Sequence, residues 1–280
     1  MELRYRILNV FTANAARLSG NPLCVFEDGQ SLDPETMQKL ARQMNLSEST
    51  FILPSKRAAA LVRIFTPAYE MPFAGHPTLG TAHVCRALGL GGNQLGLEMR
   101  AGIIPVTANG DHWTLRAAAA TSRLVEAQAP EIARLLGLEP GDIGFQPLWM
   151  KAGREQLIIP LTSEAAVRRA RPRPEMFERL RSTDGAGQAY VFASLGAKKL
   201  LSRFFFPDGA AILEDPATGS ACANLGAWFL AMGRRPPLEF EISQGEQIGR
   251  PSLLRLDVNT DNEVFVGGEV IEIGSGQLVL

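Results

Sequence analysis

EDPATGSACANLGAWF, from Glu214 to Phe229, places two acids, a proline and a Thr-Gly-Ser turn directly before a run of small and apolar residues. The run continues through Leu230 and Ala231 to a break at Gly233. A helix built from it has almost no polar face, so it must be buried. Upstream, His76-Pro-Thr-Leu-Gly-Thr-Ala-His-Val-Cys-Arg-Ala-Leu88 has the same character and breaks at Gly89. It too follows an acid, Glu70, and a Gly-polar start, Gly75-His76.

The likeness extends further back. Arg63-Ile-Phe-Thr-Pro67 precedes the first helix and Arg203-Phe-Phe-Phe-Pro207 the second. The interval Gly75 to Gly89 equals the interval Gly219 to Gly233. A shared strand, helix start and interval point to an internal duplication. The expected fold class is α+β, with two similar domains. Each is a curved, mostly antiparallel sheet wrapped around one buried central helix. The loose stretch AATSRLVEAQAP puts the boundary between about Ala117 and Pro130. The domains are expected at 1–118 and 125–264, and the last strand, 265–280, is expected to complete the first.

Between the two helices the chain reads mostly as short strands with turn signals, such as Asn109-Gly110 in a hairpin. Asp33-Pro34-Glu35 is a helix start, with Asp as cap and Pro in the first turn. EMFERLRS, residues 175–182, reads as a further helix, and Glu48 falls in a loop between a helix end and the strand FILPS.

Composition narrows the function classes. With 46% hydrophobic and 20% charged residues the chain is ordinary globular material, and a formal charge of −1 gives no reason to expect nucleic acid or an anionic membrane as partner. No apolar run is long enough to span a bilayer, and the N-terminus lacks a signal-peptide core, so a cytoplasmic location is expected. The three cysteines, Cys24, Cys85 and Cys222, are read as reduced thiols. Neither they nor the three histidines have zinc-ligand spacing, and no P-loop or dinucleotide fingerprint is present, so no metal or organic cofactor is expected.

Chemistry concentrates at the two helix starts. A first helical turn offers unpaired N–H groups and a partial positive charge, and a glycine there lets a ligand approach the backbone. Gly75 and Gly219 are therefore candidate carboxylate-binding positions, each start expected to point at the other half. Beside them stand the acid–base candidates Glu48, His76 and Asp215. Read alone, Glu48 is a loop acid, Asp215 a turn acid or a catalytic one, and His76 a cap, a substrate contact or a proton carrier.

Taken together, the motifs resemble the phenazine-biosynthesis PhzF-like family, within the diaminopimelate-epimerase-like superfamily. The resemblance rests on Ser19-Gly-Asn-Pro-Leu23, Asn45-Leu-Ser-Glu-Ser-Thr-Phe51, Arg63-Ile-Phe-Thr-Pro67, Glu70-Met-Pro-Phe-Ala-Gly-His-Pro-Thr-Leu-Gly80, Glu214-Asp-Pro-Ala-Thr-Gly-Ser-Ala221 and Gln244-Gly-Glu-Gln-Ile-Gly-Arg-Pro-Ser252. It implies a cofactor-independent isomerase that shifts a proton on a small carboxylic acid, such as a dihydro-hydroxyanthranilate, and works as a homodimer. It implies Glu48 as general acid/base, His76, Asp215 and Ser220 as its catalytic partners, and Gly75 and Gly219 as backbone donors to the substrate carboxylate. Epimerase relatives carry a cysteine at each helix start. Here those places hold Gly75-His76 and Gly219-Ser220, and Cys222 lies two residues past the second, so a two-thiol mechanism is not expected. The alternative is a non-catalytic carboxylate-binding protein that keeps the fold.

Overall fold

The computed structural model describes residues 1–280 and divides into two units, Met1–Arg116 with Gly267–Leu280, and Ala117–Val266. The first contains strands β1 (Glu2–Val10), β2 (Asn21–Phe26), β3 (Glu48–Leu53), β4 (Ala60–Phe65), β5 (Glu70–Met71), β6 (Gln94–Met99), β7 (Gly102–Asn109) and β8 (His112–Arg116), with helices α1 (Pro34–Met44) and α2 (Gly75–Ala87). The second contains β9 (Thr121–Leu124), β10 (Leu148–Ala152), β11 (Arg154–Pro160), a small hairpin of β12 (Arg181–Ser182) and β13 (Gly185–Ala186), β14 (Ala189–Ser194), β15 (Lys199–Asp208), β16 (Ala211–Asp215), β17 (Leu238–Gln244) and β18 (Ser252–Val258). Its helices are α3 (Ala129–Leu136), α4 (Glu164–Arg169), α5 (Pro174–Phe177) and α6 (Gly219–Ala231). The last strand, β19 (Val264–Val279), pairs antiparallel with β1 from Val270 to Val279. The fold is a strand-rich mixed α/β one with few helices.

In the first unit β1 pairs antiparallel with β2, β2 parallel with β3, and β3 antiparallel with β4. β4 takes β5 antiparallel and β6 parallel, and β6, β7 and β8 continue antiparallel. In the second unit β9 and β11 flank β10 antiparallel, β11 runs parallel with β14, and β14 antiparallel with β15. β15 takes β16 antiparallel and β17 parallel, and β17 pairs antiparallel with β18.

Each sheet in turn separates two apolar layers. In the first unit α1 covers one face, where Phe26, Phe51, Phe65 and Met37 form a core. The Phe26 and Phe51 rings stack at 4.6 Å. α1 starts as its sequence dictates, with the Asp33 carboxylate accepting from Thr36 N and Pro34 in the first turn. α2 lies on the opposite face, against β1, β2, β3, β4, β6 and β8. Because side chains alternate along a strand, Phe51 faces α1 and Thr50 faces α2, where its Oγ1 lies 2.8 Å from Thr81 Oγ1. Glu48, two residues before Thr50, shares the α2 side.

In the second unit α3, α4 and α5 close one face around Leu136, Val167, Phe177 and Val191, while α6 packs on β10, β11 and β18. Both α2 and α6 end alike. Leu90 N donates to Cys85 O past Gly89, and Arg234 N to Phe229 O past Gly233, with both glycines left-handed. Gly80 and Gly226 let these helices approach their sheets. A Cβ at Gly80 would stand 2.5 Å from Leu23 Cδ2, and one at Gly226 2.7 Å from Val264 Cγ1.

Two local expectations are corrected. Residues 175–182 do not form one helix. Only Pro174–Phe177 is helical, and Arg181 and Ser182 belong to the hairpin that closes on Gly185 and Ala186. The glycine pair around Ala186 and the turn at Thr183-Asp184 outweigh the helical periodicity. Glu48 is not a loop residue but the first residue of β3, opposite Leu23 of β2.

Candidate active site

The first unit gathers Glu48, Gly75 and His76. Gly75 opens α2, whose first turn has no side-chain cap; the residue before it, Ala74, has none to offer. His76 is 6% exposed. Burial drives its pKa down from 6.5 to about 3, against the opposing pull of a hydrogen bond to the Pro22 backbone. The imidazole is therefore neutral at ordinary pH. Nε2 makes no hydrogen bond within the chain, so Nδ1 carries the proton given to Pro22. Nε2 turns its lone pair toward Glu48 Oε2, 3.4 Å away. With a neutral ring this approach is not an ion pair, and its geometry falls short of a hydrogen bond.

The second unit holds Asp215, Gly219 and Ser220. Here the acids of the opening stretch separate into two roles. Glu214 forms a buried ion pair with Arg203, Oε2 to Nη2 at 2.7 Å, with both side chains 7% exposed. The Arg203 guanidinium also donates to Ala170 O at 2.8 Å and lies over the Phe205 ring. This acid anchors strand to strand. Asp215 ends β16, and its Oδ2 accepts from the Thr218 hydroxyl. Gln244 knits the same loop, donating Nε2 to Asp215 O at 2.9 Å and to Thr218 Oγ1 at 3.0 Å. The loop passes so close to Gly245 that a Cβ there would meet Pro216 O at 2.6 Å, and its φ of +79° independently requires glycine.

Gly219 is the first residue of α6 and Ser220 the second, again with no side-chain cap on the first turn. Ser220 Oγ accepts from Gln156 Nε2 at 3.0 Å. Gln156, 1% exposed, belongs to a network that motif reading missed, together with Gln188 and Asn224. The signal was available: Gln188 stands as far before Arg203 as Glu48 stands before Arg63.

The thiols are all free and buried. Desolvation raises Cys24 and Cys85 to about 12 and Cys222 further still, so none is a thiolate nucleophile at neutral pH. No group of three His, Cys, Asp or Glu side chains is arranged to share a metal ion. No helix is long and apolar enough to cross a membrane.

These features define a strand-rich α/β protein with polar side chains collected at two uncapped buried-helix starts, and comparison with known proteins supplies the class. A family model described as phenazine biosynthesis-like protein matches residues 8–276. An uncharacterised isomerase of Pasteurella multocida is 36% identical over 98% of this chain and 93% of its own. The trans-2,3-dihydro-3-hydroxyanthranilate isomerase of Pseudomonas chlororaphis is 35% identical over 99% of each chain. A PhzF-family crystal structure from Bacillus anthracis superposes with a TM-score of 0.86 over 100% of both chains, at 24% identity. The protein is an isomerase, and the chain belongs to the phenazine-biosynthesis-like PhzC-PhzF family.

Proposed function

We propose that this isomerase moves a proton between two carbons of a small carboxylic acid, with Glu48 as the group that removes and returns it. The observation that carries the reading is the approach of half-buried Glu48 to buried, neutral His76 at the start of α2. A carboxylate facing an imidazole lone pair accommodates one proton well: when Glu48 is protonated, its O–H can donate to His76 Nε2. Glu48 takes a proton from a carbon activated by neighbouring unsaturation, which leaves a delocalised anion. The same carboxyl then delivers that proton to another carbon, so substrate and product are isomers. His76, neutral and without a proton on Nε2, is the acceptor that orients Glu48 once the carboxyl has taken up the proton.

The second unit carries a candidate anion-binding group of its own. Ser220 and the free N–H groups at Gly219 suit a substrate carboxylate. Asp215, held by Thr218, suits an amino or hydroxyl group. The parallel order of strand pairings in the two units supports reading them as copies of one plan, each a sheet built around its own buried helix. A cyclic amino acid of the dihydro-hydroxyanthranilate type is the favoured substrate, supported by the name of the Pseudomonas relatives. The working form is proposed to be a homodimer, which sedimentation of the purified chain tests.

The test of function is to incubate trans-2,3-dihydro-3-hydroxyanthranilate and a panel of small unsaturated carboxylic acids with the protein in heavy water. Products are followed by proton NMR. Conversion of one of them to an isomer carrying solvent deuterium on a ring or chain carbon is expected. Absence of both conversion and exchange across the panel would contradict the proposal.

A further inference from the structure

The strand registers give Glu48 a counterpart in the second unit. In the first, Ser49 pairs with Phe65 and Phe51 with Arg63. In the second, Ala189 pairs with Phe205 and Val191 with Arg203. The ion pairs Arg63–Glu70 and Arg203–Glu214 follow at matching places. The residue just before Ser49 is Glu48, and the residue just before Ala189 is Gln188. Likewise His76 and Ser220 are each the second residue of a buried helix. Where the first unit sets a carboxyl beside an imidazole, the second sets an amide near a hydroxyl.

The hydrogen bonds around Gln188 have a fixed direction. Ala152 N donates to Asn224 Oδ1 at 2.7 Å, and Asn224 Nδ2 donates to Arg154 O at 3.0 Å. Two backbone groups, one donor and one acceptor, thus settle which end of the Asn224 amide is which. Asn224 Nδ2 then donates to Gln156 Oε1 at 2.8 Å. This leaves Gln156 Nε2 as the donor to Ser220 Oγ at 3.0 Å and to Gln188 Oε1 at 3.3 Å. Both hydrogens of Gln156 Nε2 are used. Ser220 Oγ receives one of them, so its own O–H points elsewhere. Gln188 receives the other on Oε1, and its Nε2 has no acceptor in the chain. Every outward end of the network is a donor. Such an edge favours an anionic oxygen and disfavours an amide nitrogen.

We propose that Gln188 is a substrate-binding residue that donates Nε2 to the carboxylate held at Ser220, and that Gln156 is the positioning residue that turns the Ser220 hydroxyl outward as a second donor. This rests on the reading of Ser220 as a carboxylate contact and adds the side chains that select charge there.

The test uses the full chain and two planar probes, anthranilate and its neutral isostere anthranilamide, with calorimetric titration. The wild-type chain is expected to prefer anthranilate by about tenfold or more, the range of a hydrogen bond to a charged group. Gln188→Glu keeps the side-chain shape but faces the ligand with a carboxylate. It is expected to weaken anthranilate by about thirtyfold or more and to change anthranilamide by less than about threefold. Gln156→Glu offers an acceptor to the Ser220 hydroxyl and draws it inward. It is expected to raise KM for the converted acid about tenfold with kcat kept, an effect that mere loosening of the fold would not confine to KM. Glu48→Gln, run in parallel, is expected to stop turnover and leave the preference for anthranilate intact, so failure of the proton-carrier reading shows there and not here. A wild-type chain indifferent to the probe's charge would overturn the proposal. So would a Gln188→Glu chain that keeps the preference, or one that loses both probes equally.

Discussion

Lowering the pH should weaken the fold through His76 in a way that one substitution removes. The ring is buried and neutral, and its pKa falls from 6.5 to about 3 on folding. The unfolded chain therefore binds one more proton than the folded one between these values, and stability rises with pH across that window. The contribution is fully present above 6.5 and is lost as pH falls toward 3. The whole gap corresponds to about 5 kcal/mol, and at pH 5 the part already lost is about 2 kcal/mol. His76→Gln keeps a polar side chain at the helix start but cannot take up the proton. Urea unfolding at about pH 8 and about pH 5, for both chains, gives the double difference in which titrating groups remote from His76 cancel. The wild type is expected to lose about 2 kcal/mol more than the variant. Proton NMR of the ring checks the cause, since the His76 resonances should stay at their neutral positions down to about pH 4. A His76 that titrates near 6.5, with both chains losing stability in parallel, would refute the buried neutral imidazole.

Other outcomes follow from the same geometry. Cys222→Ala should keep most turnover, because the thiol is buried and protonated; a loss above about a thousandfold with the fold intact would restore a thiol mechanism. Arg203→Met should destabilise the second unit by about 3–5 kcal/mol in urea unfolding, since it strands Glu214 in a buried setting. Gly80→Val should cost at least about 2 kcal/mol, as even its Cβ meets Leu23 Cδ2 at 2.5 Å, and a wild-type unfolding midpoint would contradict the close packing of α2.

The buried helices were the most legible part of the fold. Runs without a polar face, bounded by Gly75 and Gly89 or by Gly219 and Gly233, admit few readings other than a helix inside a sheet. The failures came where contacts outside the local pattern decide the outcome. Residues 175–182 carry a helical pattern, but the glycines of the following hairpin and the pairing of Arg181 with Ala186 decide their conformation. Glu48 looked like a surface acid because its burial comes from β2 and from His76, which lie far away in sequence. The motif sets the acids Glu214 and Asp215 side by side. The structure separates them, because strand alternation turns neighbours to opposite faces: Glu214 meets Arg203, and Asp215 meets Thr218. The spacing to Arg203 marks the place of Gln188, but the direction of the Gln156 network could not be read from motifs, since amides gain a direction only from the backbone groups that anchor them.

The proposed proton shift depends on Glu48 as the carrier. The direct measurement is the rate at which Glu48→Gln places solvent deuterium into the converted acid, against wild type, with the neutral His76 resonances confirming an intact helix start. Glutamine keeps the shape and cannot exchange a proton with carbon, so the account predicts a fall of about a thousandfold or more. A variant that incorporates deuterium within about tenfold of the wild-type rate would contradict it.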